Sequence, residues 1–198
     1  MIPSPVPRGK VSVEEALARR RSIRHFRRKP LSLGAISQIL WAAQGITGLE
    51  TGFRTAPSAG ALYPLELYLV ARKDGVDGLP EGVYHYEPRG HGLALIKAGD
   101  FAPKLEAATW DQEVVKEAAA TIVVTGVLSR TAEKYGRRSA QYVYQESGHA
   151  AQNVFLQATA LGIGTCAMGA FSEGAVRRAI GVGPKERPLY VQPIGIPR

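Results

Sequence analysis

The sequence predicts an α+β fold, in which a small sheet is flanked by helices. The stretch Ala120–Leu128 is apolar almost throughout, as expected of a strand that is buried on both faces. Two helical patterns precede the first long strand, and strands and helices do not alternate as regular βαβ units, which disfavours a doubly wound parallel sheet. With 198 residues and 45% hydrophobic content, the chain is long enough for one full core, and we predict a single domain over residues 1–198.

The first elements follow from local signals near the N-terminus. Residues 1–10 are rich in proline and are predicted to form an extended arm. Ser12 is predicted to begin a helix, because Glu15 follows three positions later as in a capping box, and this helix is expected to end near Ser22. After a loop, Ser32 begins a second helix whose apolar residues recur along one side.

The remaining elements surround the longest helical pattern of the chain, at 137–161. Its second half is apolar nearly all round, which is typical of a central buried helix, and Gly162 is predicted to end it in the left-handed conformation. The other predicted elements are strands at 65–72, 82–87, 93–97, 120–128, 164–171 and 188–197, and helices at 101–108, 112–119 and 172–180.

The positive charge of the chain is concentrated near the N-terminus. Residues 1–30 hold nine of the 25 Lys and Arg residues against two Glu residues, so this region carries nearly all of the net charge of +8. Guanidinium groups bind phosphate in bidentate fashion, and a hydroxyl adds one more donor. The group formed by Arg20, Arg21, Ser22 and Arg24 therefore suits a phosphate monoester, with a nucleic-acid backbone as the rival anion.

Several classes of function have little support in the sequence. There is no phosphate-loop motif, and the glycines that begin at Gly162 end a helix instead of following a strand, which disfavours a classical dinucleotide domain. The four histidines lie far apart, so no metal site is predicted. A single cysteine, Cys166, and the lack of an apolar run of ~18 residues lead us to expect a soluble cytoplasmic protein without a membrane partner.

Two stretches of small residues offer a place for a flat ligand. They are APSAGALYP at 56–64 and GIGTCAMGAF at 162–171. Small side chains let backbone amides approach a planar ring, although the same residues are also common in loops and at helix ends. Together with the arginine group, they would provide one phosphate clamp and two backbone surfaces.

Three motifs carry a resemblance to a known family. RRSIRHF near the N-terminus, PSAGALYPLELYLV after the second helix and SGHAAQNVFLQATALGIGTCAMGAF resemble the FMN-dependent nitroreductase-like family over nearly the whole chain. They are most similar to its azoline-dehydrogenase branch, which oxidises thiazolines and oxazolines in ribosomally made peptides. The resemblance implies an α+β sandwich that forms an intertwined homodimer, with FMN sites at the interface and a terminal strand that extends onto the partner.

The resemblance also implies roles for particular residues. Arg20, Arg21, Ser22 and Arg24 match the motif that holds the FMN phosphate and ribityl chain, and Arg198 matches a late basic residue near that phosphate. The loop along the pyrimidine side of the flavin is matched by Pro57, Ser58, Ala59 and Gly60, and the stretch facing flavin N5 by Gly169 and Ala170.

Departures from the nitroreductase pattern favour the dehydrogenase branch. Ala61 stands where many nitroreductases have an asparagine, and Tyr63 where they often have a glutamine. Lys134 and Tyr135 match a pair to which this branch assigns substrate deprotonation, although a surface helix turn would explain them equally well. Three readings stay open: an azoline-type dehydrogenase acting on a small organic or peptide substrate, an NAD(P)H-dependent nitro or quinone reductase, and a nucleic-acid-binding protein without enzymatic activity. We expect the first, without a nucleic-acid partner.

Overall fold

The computed structural model of the protein describes residues 2–110 and 112–198. The strands are β1 (Phe26–Arg27), β2 (Leu31–Ser32), β3 (Leu65–Ala71), β4 (Val76–Asp77), β5 (Gly82–Glu87), β6 (Gly92–Ala98), β7 (Ala120–Gly126), β8 (Gly164–Thr165) and β9 (Arg187–Pro197). The helices are α1 (Val13–Arg19), α2 (Leu33–Gln44), α3 (Ala102–Ala108), α4 (Glu113–Glu117), α5 (Leu128–Tyr135), α6 (Ser139–Ala160) and α7 (Glu173–Ile180).

The main sheet is antiparallel and confirms the predicted α+β class. Its strand order is β1-β9-β7-β3-β5-β6, and β8 also pairs with β9. A separate parallel pair, β2 with β4, makes the strand set mixed but mainly antiparallel. β7 lies between β3 and β9 and all seven of its residues are buried, in agreement with its apolar sequence.

Helices cover both faces of this sheet, because successive side chains of a strand point to opposite sides. Leu67 and Leu69 of β3 join the cluster beneath α2 and α6, whereas Tyr68 and Val70 join the cluster beneath α3, α4 and α7. The long helix α6 packs on the first side, and its second half is buried or half-buried at every residue. The predicted long central helix is therefore confirmed.

The helix caps lie where the sequence predicts them. The Ser12 hydroxyl accepts a hydrogen bond from the Glu15 N–H at 3.1 Å, and that of Ser32 accepts one from the Ala35 N–H at 3.2 Å. Gly162 follows α6 with φ of 70°, in the left-handed region that glycine occupies at little cost.

The end of the first helix differs from the expectation, in a way that matters for the arginine group. α1 ends at Arg19, and the Arg20 backbone leaves the helical region with ψ of 126°. The N–H of Ile23 then bonds to the carbonyl of Thr165 at 2.9 Å, so the segment after α1 runs along β8. The expected helix end near Ser22 is wrong because this tertiary hydrogen bond replaces a helical one.

Three predictions about the strands need correction. The loop expected after Ser22 contains β1, which pairs with the last residues of β9. β9 itself pairs with β7, β8 and β1 of its own chain as far as Pro197, so the expected extension of the terminal strand onto a partner is wrong. Only Gly164–Thr165 of the strand expected at 164–171 is regular, although Met168 adds a bridge to Val191.

The N-terminal arm carries no helix or strand between Ile2 and Ser12. The side-chain amide of Gln38 in α2 holds it, because its oxygen accepts from the Val6 N–H at 2.8 Å and its nitrogen donates to the Val6 carbonyl at 3.1 Å. Within the part of the chain that the structure describes, no helix combines the length and hydrophobicity that crossing a bilayer requires.

Candidate active site

The predicted catalytic pair lies directly against the small-residue loop at 57–60. A Cβ atom built on Gly60 would lie 2.9 Å from Lys134 Nζ and 2.9 Å from Tyr135 Oη, so both side-chain ends contact the space that only glycine leaves open. Lys134 Nζ also lies 5.6 Å from the centroid of the Tyr135 ring. The structure therefore brings together two predicted groups that are distant in sequence.

The loop is a tight turn that one serine organises. The Ser58 hydroxyl accepts from the Tyr63 N–H at 2.9 Å, and the Ser58 carbonyl accepts from the Ala61 N–H at 3.1 Å. Gly60, Ala61 and Tyr63 have φ values of 63°, 54° and 47°. A left-handed conformation costs a non-glycine residue roughly 1–2 kcal/mol, and such strain tends to occur at functional sites.

An ion network holds α5, and with it the pair, against this loop. Arg130 donates to the Tyr63 carbonyl at 3.2 Å and pairs with Glu66 at 2.5 Å, and Glu66 also bonds to His85 at 2.7 Å. Burial by itself would raise the pKa of Glu66, but the bonds from His85 and Arg130 lower the pKa below its usual value. The hydrogen bond to Glu66 raises the pKa of His85.

An aromatic contact between α5 and α6 supports the pair. The ring of Tyr135 meets that of Tyr142 in α6 edge to face, with 4.9 Å between centroids. Gly136, with φ of 50°, makes the turn between the two helices. The C-terminal end of α5 is thus held by α6 beneath and by the loop beside it.

Sequence reasoning missed a buried carboxyl behind the loop. Glu146 of α6 is only 2% exposed, and burial raises its pKa to about 7, against a partial opposing effect of the Ser58 hydroxyl and the Arg54 charge. Arg54 packs 4.5 Å from the Tyr63 ring centroid and donates to Gln44 at 2.8 Å, and burial lowers the pKa of this guanidinium. The sequence did contain a signal for this burial, because Glu146 falls at helical spacing between Val143 and Ala150, which are both buried.

The arginine group lies on the other side of α6. Arg20 packs 5.2 Å from the ring centroid of Phe155, and Arg21 folds back onto the carbonyls of Ala18 and Arg20. Arg24 lies near enough to Cys166 to oppose the effect of burial, which raises the pKa of that thiol. None of the three guanidinium groups forms an ion pair with a described carboxylate, so their charge is open to an anion, and Ser22 is exposed among them.

Arg198 is exposed, but contacts within its own chain hold it. Its guanidinium pairs with Glu117 at 2.5 Å and donates to the Phe26 carbonyl at 3.1 Å, while its backbone N–H bonds to His25. Glu117 also accepts the Phe26 N–H at 2.9 Å. The last residue is therefore held by these contacts, and one nitrogen of its guanidinium is occupied by Glu117.

Gly169 and Ala170 are both exposed. Gly169 lines a cavity of about 330 Å³ together with Tyr144, Ser147 and Tyr190. A second cavity, of about 780 Å³, lies between the arm, α1, α2 and α6, and none of the predicted site residues lines it. Within one chain, the loop with the Lys134–Tyr135 pair and the arginine group lie against different parts of α6, since Ser58 is beside Glu146 and Arg20 packs on Phe155.

Comparison with known proteins identifies the family. A sequence model of the nitroreductase family matches residues 17–196. The chain belongs to the nitroreductase family. The protein MJ1384 of Methanocaldococcus jannaschii, which is described as a nitroreductase, is 41% identical to this chain over 185 residues. The match covers 93% of this chain and 91% of MJ1384. A second relative, the trifolitoxin operon protein TfxC of Rhizobium leguminosarum bv. trifolii, is 30% identical over 133 residues, covering 61% of this chain and 37% of TfxC.

Solved structures agree with this family assignment. A protein of Ralstonia eutropha JMP134, described as a nitroreductase, has a TM-score of 0.86 with 27% identity, covering all of this chain and 88% of that one. The Escherichia coli microcin synthetase complex McbBCD, with truncated pro-MccB17 bound, has a TM-score of 0.81 with 23% identity, covering 99% and 76%. A nitroreductase-type protein of Desulfovibrio desulfuricans in complex with FMN has a TM-score of 0.68 with 21% identity, covering 98% and 88%. The last two share the fold. This chain is accordingly an oxidoreductase of the nitroreductase family.

Proposed function

We propose that this protein is an FMN-dependent dehydrogenase that oxidises azoline rings in a small organic or peptide substrate. The observation that carries the proposal is the contact of Lys134 and Tyr135 with Gly60, because it joins a proton-accepting pair to a loop suited to a flat ring. A proton acceptor must reach the substrate beside the cofactor, and a lysine and a tyrosine at one point meet that requirement.

The arginine side of the protein fits the phosphate of FMN. Arg20, Arg21 and Arg24 provide positive charge without a described carboxylate partner, and Ser22 adds a hydroxyl donor. Arg198 would contribute through the part of its guanidinium that Glu117 leaves free. Pro57, Ser58, Ala59 and Gly60, with Gly169 and Ala170, would face the ring system through backbone groups.

Oxidation of an azoline to an azole removes one hydride and one proton from adjacent ring atoms. FMN, when bound, supplies the hydride acceptor. Lys134 or Tyr135 takes the proton, and the Gly60 backbone and Tyr142 keep the two side chains at one position. Two relatives are named for peptide products, the trifolitoxin operon and microcin synthetase, and these names support a peptide substrate.

A homodimer would complete the site. In one chain, α6 separates the loop at 57–60 from the arginine group, since Ser58 lies beside Glu146 whereas Arg20 packs on Phe155, about 13 Å further along the helix. Gln145 and His149 on the outer face of α6 are exposed and available to a second copy. A partner would bring its loop to the arginine group of the first chain.

A reductase that takes electrons from NAD(P)H is the second candidate. The M. jannaschii relative carries a nitroreductase name, and this supports the same cofactor with electrons flowing in the opposite direction. Ala61 and Tyr63, which replace residues typical of many nitroreductases, favour the dehydrogenase instead.

The test compares single half-reactions of the FMN-loaded protein under anaerobic conditions. A thiazoline-containing peptide should bleach the oxidised flavin and lose two hydrogen atoms by mass spectrometry. The variants Lys134→Met and Tyr135→Phe should keep FMN but lower this rate by about 10²–10⁴-fold, the usual contribution of a general base. Lys185→Met, which removes an exposed lysine elsewhere, is the matched control and should keep the rate.

Two results would contradict the proposal. Flavin reduction by NADPH but not by the thiazoline peptide would support the reductase. A colourless protein that takes up no FMN and binds DNA with a steep salt dependence would instead support the nucleic-acid-binding alternative.

A further inference from the structure

Glu146 is a buried acid for which the proposed reaction has so far no use. It is 2% exposed, and its Oε1 atom has no hydrogen-bond partner among the described residues. Two neighbouring polar atoms behind the same loop, Gln44 Nε2 and Arg54 Nε, are also buried and unpaired with any described group. Buried polar atoms without partners are costly and uncommon, so a cluster of them calls for a functional reason.

The position of Glu146 connects the two halves of the site. It follows Tyr142 by four residues on α6, and residues at that spacing lie one above the other on the same face of a helix, about 6 Å apart along the axis. Tyr142 contacts Tyr135 of the catalytic pair, while Glu146 lies beside Ser58 of the loop. One face of α6 therefore supports the pair at one turn and the loop at the next.

The hydrogen bonds of Ser58 show which group would donate in its contact with Glu146. Its oxygen already accepts the Tyr63 N–H at 2.9 Å, which leaves the hydroxyl proton to be donated elsewhere. The Glu146 carboxyl is the acceptor beside it, although the contact falls short of standard hydrogen-bond geometry in the structure. An ionised carboxylate would draw this proton and so hold Ser58, and through it the strained turn that ends at Tyr63.

We propose that Glu146 is a positioning residue of the dehydrogenase site, which acts through Ser58 to hold the Gly60 loop against Lys134 and Tyr135. The proposal rests on the proposed function for its consequence in catalysis, but the structural effect on the loop can be measured without substrate.

The ionisation of Glu146 then controls the order of the loop. The charged group that faces it is Arg54, behind which lie Glu66 of β3 and Arg130 of α5 together with the Tyr63 ring. Because burial raises the pKa of Glu146 to about 7, its charge changes near neutral pH. The loop should be more ordered above this pH, where the carboxylate accepts the Ser58 proton, than below it.

Hydrogen exchange of the loop amides tests the structural part. Peptides covering residues 57–63 are followed by mass spectrometry in the FMN-loaded protein about one unit above and one unit below pH 7, with correction for intrinsic exchange rates. In the wild type, protection should be several-fold greater at the higher pH. Glu146→Gln should abolish this difference, and Glu133→Gln, which removes an exposed carboxylate on α5, should leave it unchanged.

The catalytic part is tested with the thiazoline peptide. Glu146→Gln should retain FMN and melt no lower than the wild type, yet reduce flavin at least tenfold more slowly and lose the rise of rate through pH 7 that the wild type shows. A Glu146→Gln protein with wild-type, pH-dependent loop protection would overturn the proposal. If the wild type fails to oxidise the peptide while the exchange results hold, the proposed function is refuted and the positioning role stands.

Discussion

Replacing Gly60 with alanine should reduce turnover far more than stability. Gly60 has φ of 63°, so alanine adopts the native backbone there at a cost of roughly 1–2 kcal/mol. In a protein of this size, such a loss lowers the melting temperature by about 2–8 °C. The fold should therefore survive the substitution.

The effect on the proposed catalytic pair should be larger, because the added methyl group comes too close to both side-chain ends. The new Cβ atom would lie 2.9 Å from both Lys134 Nζ and Tyr135 Oη, whereas non-bonded heavy atoms prefer about 3.5–4.0 Å. Both side-chain ends must then move by roughly 1 Å, which is cheap for flexible side chains. A misplacement of about 1 Å can cost on the order of 100-fold in rate.

Gly78 provides the matched control for this experiment. It has φ of 75°, and no atom of the described residues lies within 4 Å of a Cβ built on it, so Gly78→Ala has the backbone cost without the contact. Thermal unfolding, FMN content and the rate of flavin reduction by the thiazoline peptide are measured for both variants. Similar melting temperatures with about 100-fold different rates are expected. A Gly60→Ala rate within twofold of that of Gly78→Ala would refute the assignment of Lys134 and Tyr135 to the reacting centre.

Three further predictions concern charge. The pKa of Glu146 is about 7 in the folded protein and about 4.5 in the unfolded protein, so the folded state binds the proton more tightly. The free energy of unfolding therefore falls as pH rises between these two values. In denaturant titrations, Glu146→Gln should raise the free energy of unfolding by up to about 3 kcal/mol at pH 8 and by little at pH 4.5. An equal gain at both pH values would contradict this. The double variant Arg20→Ala, Arg24→Ala should weaken FMN binding by a few kcal/mol, because each charge-assisted hydrogen bond contributes about 1.5–3 kcal/mol. If the double variant retains stoichiometric FMN, the phosphate lies elsewhere. Arg198→Ala should lower stability by about 1–3 kcal/mol in the same titrations, because it leaves the largely buried Glu117 without its guanidinium partner. An unchanged midpoint would show that this ion pair contributes nothing.

Local signals explain why much of the fold could be predicted. The caps at Ser12 and Ser32, the left-handed Gly162 and the apolar run of β7 each depend on neighbours in sequence, so they were predicted correctly. The helix α5 was missed, because it is short and polar and has no side-chain N-cap. Arg130 holds it in place through Glu66, a partner on a different strand.

Contacts between distant segments explain the other errors. β1 has only two residues, and it forms because Phe26 and Arg27 pair with the far end of the chain. Phe26 is fully buried against two glycines, since a Cβ on Gly164 or Gly195 would lie within 3.1 Å of its ring. No local pattern reveals such a fit, and the charged residues around Phe26 argued for a loop.

The sequence by itself determined the fold class, the long helix and the cluster of arginines near the N-terminus, because periodicity and charge are properties of the chain alone. The family resemblance likewise singled out the loop at 57–60 and the Lys134–Tyr135 pair, but as separate stretches. Only the tertiary structure decided that Gly60 meets this pair, because Arg130 ties α5 to the Tyr63 carbonyl and Tyr142 supports Tyr135 from α6. It also decided that Glu146, at a position where the helical pattern calls for an apolar residue, is a buried acid beside the same loop.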